Sequence, residues 1–553
     1  MRAKGFPTRF PRWFGGVAVA LLAGTIWGLM QFYTPVMNDD FAFMAQYLAC
    51  NDGDSGFSLR ALADFALYNR DHDNFRIANM LAPFSTLFSP WKELFPLFTG
   101  LAGAAMIWLA GRFAGGCPPG WRFQAVVWLL IAVFLPMRAG MFIRDYSLNY
   151  IYSAAVSLAT FLFVWKAEAA GRWGWPRFLA AAALLCLSGG WHESPVVALV
   201  AGMSAYALRG ICAGRPVSRQ WIALTALYAA AGAAFLFCPG MLARAGRDLG
   251  VGEIIPLRFQ LYNFSMVIVL AAILLVSLAV PRLRRALALS RGDGCFIVFA
   301  VSAFAGAVVS AILVPSQRAA FWPQLSAIIA ILLYVRPLVR MTGKPWRAWA
   351  GPVALLLCLA QGIHAVAWQR HIWLENREIM RLYDETADGV VFADVTMPEQ
   401  VPSTTLSYPS KLLWVNSLHY HQFRFVRPDK PLAVVTAALR SATVDNSEVV
   451  SADSLVFRNG GSYFAPLRAP SLYALAAAGV ELVTRDGRKV FSQCFALKYA
   501  NEAGDTMVYL RPFDLPSAVV DSVASLTLYP DEDPFRGDPR LFRERVAAGI
   551  KPH

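Results

Sequence analysis

Residues 17–41, VAVALLAGTIWGLMQFYTPVMNDDF, decide what class of protein this is. They continue an apolar run from Trp13, and a run of about 20 such residues crosses the hydrocarbon core of a bilayer as a helix. The run has no small-residue cleavage site, which is typical of a retained helix and not of a signal peptide. It ends at Pro35, shortly before Asp39 and Asp40. The sequence therefore predicts a membrane protein whose first helix is followed within a few residues by two adjacent carboxylates.

The composition indicates the same class. Of 553 residues, 57% are hydrophobic and 16% are charged, and the mean hydropathy is +0.45. A soluble chain is about 45–50% apolar and about 25% charged, so an ordinary soluble enzyme is excluded, as is a disordered chain. The eight cysteines form no C-x-x-C pair, and no histidine stands at metal-ligand spacing. Neither a disulfide framework nor a zinc site is indicated.

Apolar stretches long enough to span a bilayer recur as far as Trp368, and we count about eleven. The predicted spans are 13–35, 93–113, 121–141, 146–165, 174–190, 195–213, 221–238, 259–281, 294–314, 319–340 and 348–368. The predicted fold is therefore an all-α polytopic membrane protein with about eleven transmembrane helices. Its membrane domain comprises residues 1–370.

Two segments outside the spans are expected to be soluble. Residues 36–92 have apolar positions at helical spacing, which predicts an outer loop with helices lying along the membrane surface. Residues 371–553 contain short β-rich runs separated by turns such as Arg485-Asp486-Gly487-Arg488. This pattern predicts a C-terminal soluble domain with an α/β or mostly β fold.

Lysine and arginine are distributed unequally between alternate loops. Loops that stay in the cytoplasm are enriched in these residues, and the segment before the first span contains Arg2, Lys4, Arg9 and Arg12. The N-terminus is therefore predicted inside, and an odd number of crossings places residues 371–553 outside. Much of the net charge of +14 is then topogenic, and no nucleic-acid partner is indicated.

Polar residues of the membrane domain cluster in the predicted outer loops, and ionisable groups at membrane depth are expensive and commonly functional. The candidate site residues are Asp39, Asp40, Arg76, Asn79, Arg144, His192, Glu193, Arg244, Arg247 and Arg318.

Each group of candidates has two interpretations. Asp39 and Asp40 either cap a helix or provide a general base with a raised pKa. Glu193 either caps the helix that follows it or, with His192, lines a cavity below the outer surface, since the apolar segments on either side are short. The arginines either contact lipid headgroups or bind a phosphate with their fork-shaped guanidinium groups.

Several short motifs, in this order, carry a resemblance to a known class. They are NDDF at 38–41, R-x-A-N at 76–79, Trp-His-Glu at 191–193, P-G-x-x-x-R at 239–244 and P-x-x-R at 315–318. Together with the topology they resemble the GT-C class of integral-membrane glycosyltransferases, and more narrowly a group of poorly characterised bacterial polytopic proteins. The resemblance covers the membrane domain.

The resemblance implies transfer of a sugar from a polyprenyl-phosphate donor to a glycan or lipid acceptor of the cell envelope. The reaction would take place, generally with inversion, on the outer face of the bacterial cytoplasmic membrane. It assigns the catalytic base to Asp39 or Asp40. The sequence has no D-x-D there, and arginines alone could stabilise the departing phosphate, so no cofactor is required and a divalent metal is optional. Two alternatives remain, a transporter or flippase of an anionic lipid-linked sugar and a non-catalytic envelope-assembly protein.

Overall fold

A computed structural model describes residues 12–385 apart from 37–38, 116–118, 138–140, 172, 216, 243–262, 314–316 and 343–346. Beyond residue 385 it describes the strands given below and the turn at 485–488. The chain divides into two compact units, Met1–Trp373 with Val401–Ser410, and Leu374–Gln400 with Lys411–His553.

The described residues of the first unit form helices joined by turns and loops, with no strand among them. Its first six helices are α1 (Arg12–Phe32), α2 (Asp39–Cys50), α3 (Leu59–His72), α4 (Ile77–Met80), α5 (Ala82–Thr86) and α6 (Trp91–Gly115). Then come α7 (Trp121–Phe134), α8 (Arg144–Tyr146), a π-helix (Ser147–Tyr152), α9 (Ser153–Ala169), α10 (Trp175–Gly189), α11 (Glu193–Cys212) and α12 (Arg219–Leu236). The remaining helices are α13 (Ser265–Ala279), α14 (Pro281–Arg291), α15 (Gly294–Leu313), a 3₁₀ turn (Gln317–Ala320), α16 (Phe321–Thr342) and α17 (Arg347–Glu385). The part of α17 from Leu374 onward is assigned to the second unit.

Seven helical segments in the described residues are long and apolar enough to cross a membrane, or eight if the pair α13–α14, bent by 117°, forms one span. They correspond to α1, α6, α8 to α9, α11, α15, α16 and α17. The prediction of a helical, membrane-type fold is confirmed. A helix occupies each of the predicted spans, but α7 has only 14 residues, about 21 Å at 1.5 Å per residue. That is short of the ~30 Å hydrocarbon core, so the count of about eleven crossings stays a prediction.

Helix α1 packs closely against α6, and glycines permit the approach. A Cβ added at Gly24 would lie 2.4 Å from the carbonyl oxygen of Gly100 and 2.8 Å from the Cβ of Ala104. Gly103 likewise accommodates the Trp27 ring, which is fully buried. Small residues let helix backbones come close where lipid supplies no hydrophobic driving force. This contact fixes α1 against α6, and α2 with its two aspartates follows α1.

The second unit contains nine described strands. They are β1 (Val390–Phe392), β2 (Ala433–Val435), β3 (Val450–Ser451), β4 (Phe457–Asn459), β5 (Ser462–Pro466), β6 (Leu475–Thr484), β7 (Lys489–Ala500), β8 (Thr506–Pro512) and β9 (Val523–Tyr529). β1 pairs with β2 in parallel, and the others form an antiparallel sheet in the order β3-β9-β6-β7-β8-β5-β4. The predicted turn at 485–488 joins β6 to β7, with Gly487 at a φ of 81°. The outer, soluble placement of this unit stays a prediction.

Candidate functional site

Hydrogen bonds to backbone carbonyl oxygens tie the predicted outer loop to the turn between α10 and α11, and tie this turn to the π-helix. The Ile77 amide donates to the Gly190 carbonyl oxygen over 2.8 Å. The indole Nε1 of Trp191 donates to the Leu148 carbonyl oxygen, also over 2.8 Å. These bonds bring α4, the π-helix and the start of α11 together at one end of the helical unit.

Arg76 and Glu193 form a two-pronged ion pair at this junction. The Arg76 Nε donates to Glu193 Oε2 over 2.8 Å, and Nη2 contacts Oε1. The two side chains are 17% and 14% exposed, so a charge left without its partner here would be poorly hydrated. Glu193 therefore neutralises Arg76, and this contact joins residues 117 positions apart.

Asn149, in the π-helix, extends the pair into a buried polar network. Its Oδ1 accepts from Arg76 Nη1 at 3.2 Å, and its Nδ2 donates to Asn79 Oδ1 at 3.0 Å and to Asp145 Oδ1 at 2.8 Å. The Nδ2 of Asn79 in turn donates to Asn74 Oδ1 at 2.6 Å. Single π-helical turns inside α-helices occur often at functional sites. Here such a turn places the Asn149 amide between α4 and α8, and the amide bonds to both.

Asp40, at the start of α2, connects the same network to the segment that follows α1. It is fully buried, and its Oδ1 accepts the Asp145 amide hydrogen at 2.8 Å. The Arg144 guanidinium interacts electrostatically with it, while Arg144 Nη1 donates to the carbonyl oxygens of Ser85 and Lys92, the latter at 3.2 Å. Asp40 and Arg144 thus position the start of the 144–169 helix. The side chain of Asp39 lies outside the described residues.

Arg318 is the third arginine at this end. Its guanidinium carbon lies 4.0 Å from the centroid of the Tyr146 ring, a cation–π distance. Its side chain is half-buried and also interacts electrostatically with Tyr150. The cluster therefore contains three guanidinium groups and three carboxylates, counting Asp145. The other two predicted arginines, Arg244 and Arg247, lie outside the described residues.

His192 presents one unused hydrogen-bonding atom. Its Nδ1 accepts the Ser194 amide hydrogen at 3.1 Å as the N-cap of α11. Burial lowers the pKa of His192 to about 4, against the opposing effect of the Glu193 carboxylate. The ring is therefore neutral at pH 7, and its proton is on Nε2 because Nδ1 already accepts. The 3.8 Å approach of Nδ1 to Glu193 is then not an ion pair.

The Nε2 of His192 is buried and has no hydrogen-bond partner among the described residues. His192 lines a small cavity with Asn74, Arg76, Gly190, Glu193 and Phe235. About 10 Å³ of it is open to water, which is about the room that one water molecule needs. His192 thus combines a buried ring nitrogen that has no described partner with a place in the wall of this cavity.

The structure therefore brings seven of the predicted residues together, namely Asp40, Arg76, Asn79, Arg144, His192, Glu193 and Arg318. It adds Asn74, Asp145, Tyr146 and Asn149, which the sequence reasoning did not assign to the site. Asn149 could have been predicted from the sequence. It lies in the apolar stretch SLNYIYSAAV, and a buried amide costs free energy unless it is hydrogen-bonded.

The described residues do not fit a metal site. No group of three or more His, Cys, Asp or Glu side chains with ligand geometry occurs among them, and Asp40 and Glu193 already accept from an amide and a guanidinium. A search of protein-family models found no match to this chain. The curated proteins likewise include none with significant similarity to it.

Proposed function

We propose that this protein is a membrane glycosyltransferase that moves a sugar from a polyprenyl-phosphate donor to a glycan or lipid acceptor of the cell envelope. The hydrogen-bonded chain from Asp40 through Asp145, Asn149 and Arg76 to Glu193 is the observation that carries this proposal. It joins residues of three of the five motifs of the resemblance, those at 38–41, 76–79 and 191–193, at one end of an apolar helical unit. The proposal includes about eleven crossings, an inside N-terminus, an outer C-terminal domain and location in the bacterial cytoplasmic membrane.

The contacts divide the work between residues. Asp40, Arg76 and Arg144 each bond to a protein group, so we assign them to positioning the outer loops. Asp39, which begins α2, is then the general base. It removes the proton from an acceptor hydroxyl, the hydroxyl oxygen bonds to the anomeric carbon from the opposite face, and the bond from that carbon to the phosphate oxygen breaks.

Arg318, with Arg244 and Arg247, holds the lipid phosphate, whose charge grows as the bond to the sugar breaks. Preorganised donors aimed at a developing charge are among the largest contributions to catalysis. His192 caps the start of α11, while Glu193 keeps Arg76 in place. No metal takes part in this scheme.

The test is transfer of labelled sugar from a panel of polyprenyl-phosphate donors by the purified full chain in detergent. Asp39→Asn should lower kcat by about 10²–10⁴-fold and leave the KM for the donor nearly unchanged. Arg318→Gln should raise the KM for the donor by about thirtyfold. Asp64→Asn, an exposed acid of the same loop, is the matched control and should behave as the parent.

Transfer at the parent rate by Asp39→Asn would rule out the assigned base. The transporter alternative predicts that the parent moves the lipid-linked sugar between leaflets of vesicles and transfers nothing. Neither transfer nor movement with any donor is the outcome expected for an assembly protein.

A further inference from the structure

A second cavity lies at the end of the bundle opposite to the polar network. It is lined by Arg112 and Phe113 of α6, Leu162, Trp165 and Lys166 of α9, and Asp293, Cys295 and Arg336 around α15 and α16. Its volume is about 470 Å³, which is within the range of about 300–1,000 Å³ typical of small-molecule sites. Three helices thus each contribute one cation to a single cavity.

The three cations of this cavity lack a counterion among the described residues. There, Arg112, Lys166 and Arg336 take part in no side-chain hydrogen bond or ion pair. The one acid in the cavity, Asp293, already accepts the Cys295 amide hydrogen at 3.0 Å. The cavity therefore carries three positive charges and one negative charge. The outer network differs, because there guanidinium and carboxylate groups balance.

The helix dipole alone does not account for this arrangement. Cations near helix C-termini are favourable because of the helix dipole, and Arg112 and Lys166 do stand in the last turns of α6 and α9. Arg336 does not fit that account, since α16 continues to Thr342. Lys166 is exposed and the two arginines are half-buried, so the charged groups can reach a ligand from the boundary of the membrane.

The residues that line the cavity indicate the chemical class of its ligand. Phe113, Leu162 and Trp165 supply an apolar side, and tryptophan is enriched where headgroups meet acyl chains. An apolar wall beside unneutralised arginines fits a molecule with a phosphodiester joined to hydrocarbon. Basic pockets between transmembrane helices bind such headgroups.

We propose that this cavity binds the phosphate of an anionic membrane phospholipid. The two arginines contact the phosphate oxygens, Lys166 adds charge at the exposed edge, and the first acyl carbons lie along Phe113 and Leu162. This binding site is separate from the outer network and does not depend on the proposed transferase activity.

The test compares two lipids that share acyl chains, anionic phosphatidylglycerol and zwitterionic phosphatidylcholine, added to delipidated full-length protein and counted by native mass spectrometry. The parent should retain phosphatidylglycerol preferentially. Each cation removed should lower that preference about fivefold, so that Arg112→Gln with Arg336→Gln lowers it about 25-fold. Arg209→Gln is the matched control, because Arg209 also stands in the last turn of its helix and does not line the cavity.

Lys166→Gln provides a second variant if the double substitution does not fold, since an exposed side chain is replaced without disturbing packing. An unchanged preference in Lys166→Gln and in the double variant would overturn the proposal. So would an equal loss in Arg209→Gln, which would indicate general surface charge. If inorganic phosphate raises the thermal stability as much as phosphatidylglycerol and displaces it, the site binds a free anion and not a lipid.

Discussion

The Arg76–Glu193 pair is the contact on which the candidate site most depends, and a double-mutant cycle tests it. Removing one member of a buried ion pair costs about 3–5 kcal/mol, because the remaining charge loses its partner without regaining water. The pair retains 17% and 14% exposure, so the lower end of that range applies. Arg76→Met and Glu193→Met should each destabilise the fold by about 3 kcal/mol, roughly a hundredfold in the unfolding equilibrium.

The double variant should be more stable than either single variant. Replacing both charges by apolar side chains of similar size leaves no unpaired group, and such replacements are often nearly neutral. The measurement is unfolding of the purified full chain by SDS in mixed micelles, followed by the helical circular dichroism signal. Arg60→Met is the control, because Arg60 and Asp64 are 94% and 51% exposed at a 3.9 Å separation, and it should change little.

Two outcomes would refute a coupled pair: single variants that unfold at the parent's SDS fraction, or a double variant in which the two losses simply add. Additive losses would mean that the side chains act independently despite their contact. If the two losses are coupled, any loss of the proposed sugar transfer in Glu193→Gln would follow from displacement of Arg76.

Three further predictions address topology, packing and pH. A phosphatase fused after residue 370 should be active and a fluorescent protein fused there should be dark, and the reverse pattern would contradict the outer placement of the C-terminal domain. Gly24→Leu should separate α1 from α6 and destabilise the fold by about 1–3 kcal/mol through overpacking. Gly120→Ala is the control in the same unfolding assay and should be tolerated, because a Cβ atom at Gly120 has no neighbour within 4 Å among the described residues. The pKa of His192 in the folded chain, about 4, is below its value near 6.5 in the unfolded chain. Its contribution to stability should therefore be complete above pH 6.5 and should fall between pH 6.5 and 4. His192→Asn, which keeps a capping side chain, should flatten that part of the stability profile, and an unchanged profile would contradict the low pKa.

Much of the helical architecture could be predicted from residues alone. In lipid every backbone polar group must be satisfied within the chain, so a long apolar run is almost certain to be a helix. Accordingly a helix stands at each predicted span, from α1 to α17. The number of crossings could not be fixed in this way, because the apolar runs around α7 and α10 form helices of 14 and 15 residues whose depth depends on their neighbours.

The candidate site was predictable as a set of residues but not as a set of contacts. Short motifs indicated Asp40, Arg76 and Glu193, since charged groups near a membrane interface are expensive and rare. They did not indicate that Glu193 binds Arg76, or that Asp40 accepts the amide hydrogen of Asp145, because these partners are 117 and 105 positions apart.

The sequence by itself determined that this protein is helical and largely apolar, with polar residues at a few positions. The period and length of apolar runs are local properties, so the sequence contains them directly. Only the tertiary structure decided which carboxylate neutralises which guanidinium, and so which groups are left to meet a ligand. A buried charge takes the nearest geometrically suitable partner, and which group is nearest follows from helix packing. Gly24 and Gly100 bring α1 against α6, and a π-helical turn directs Asn149 towards Arg76.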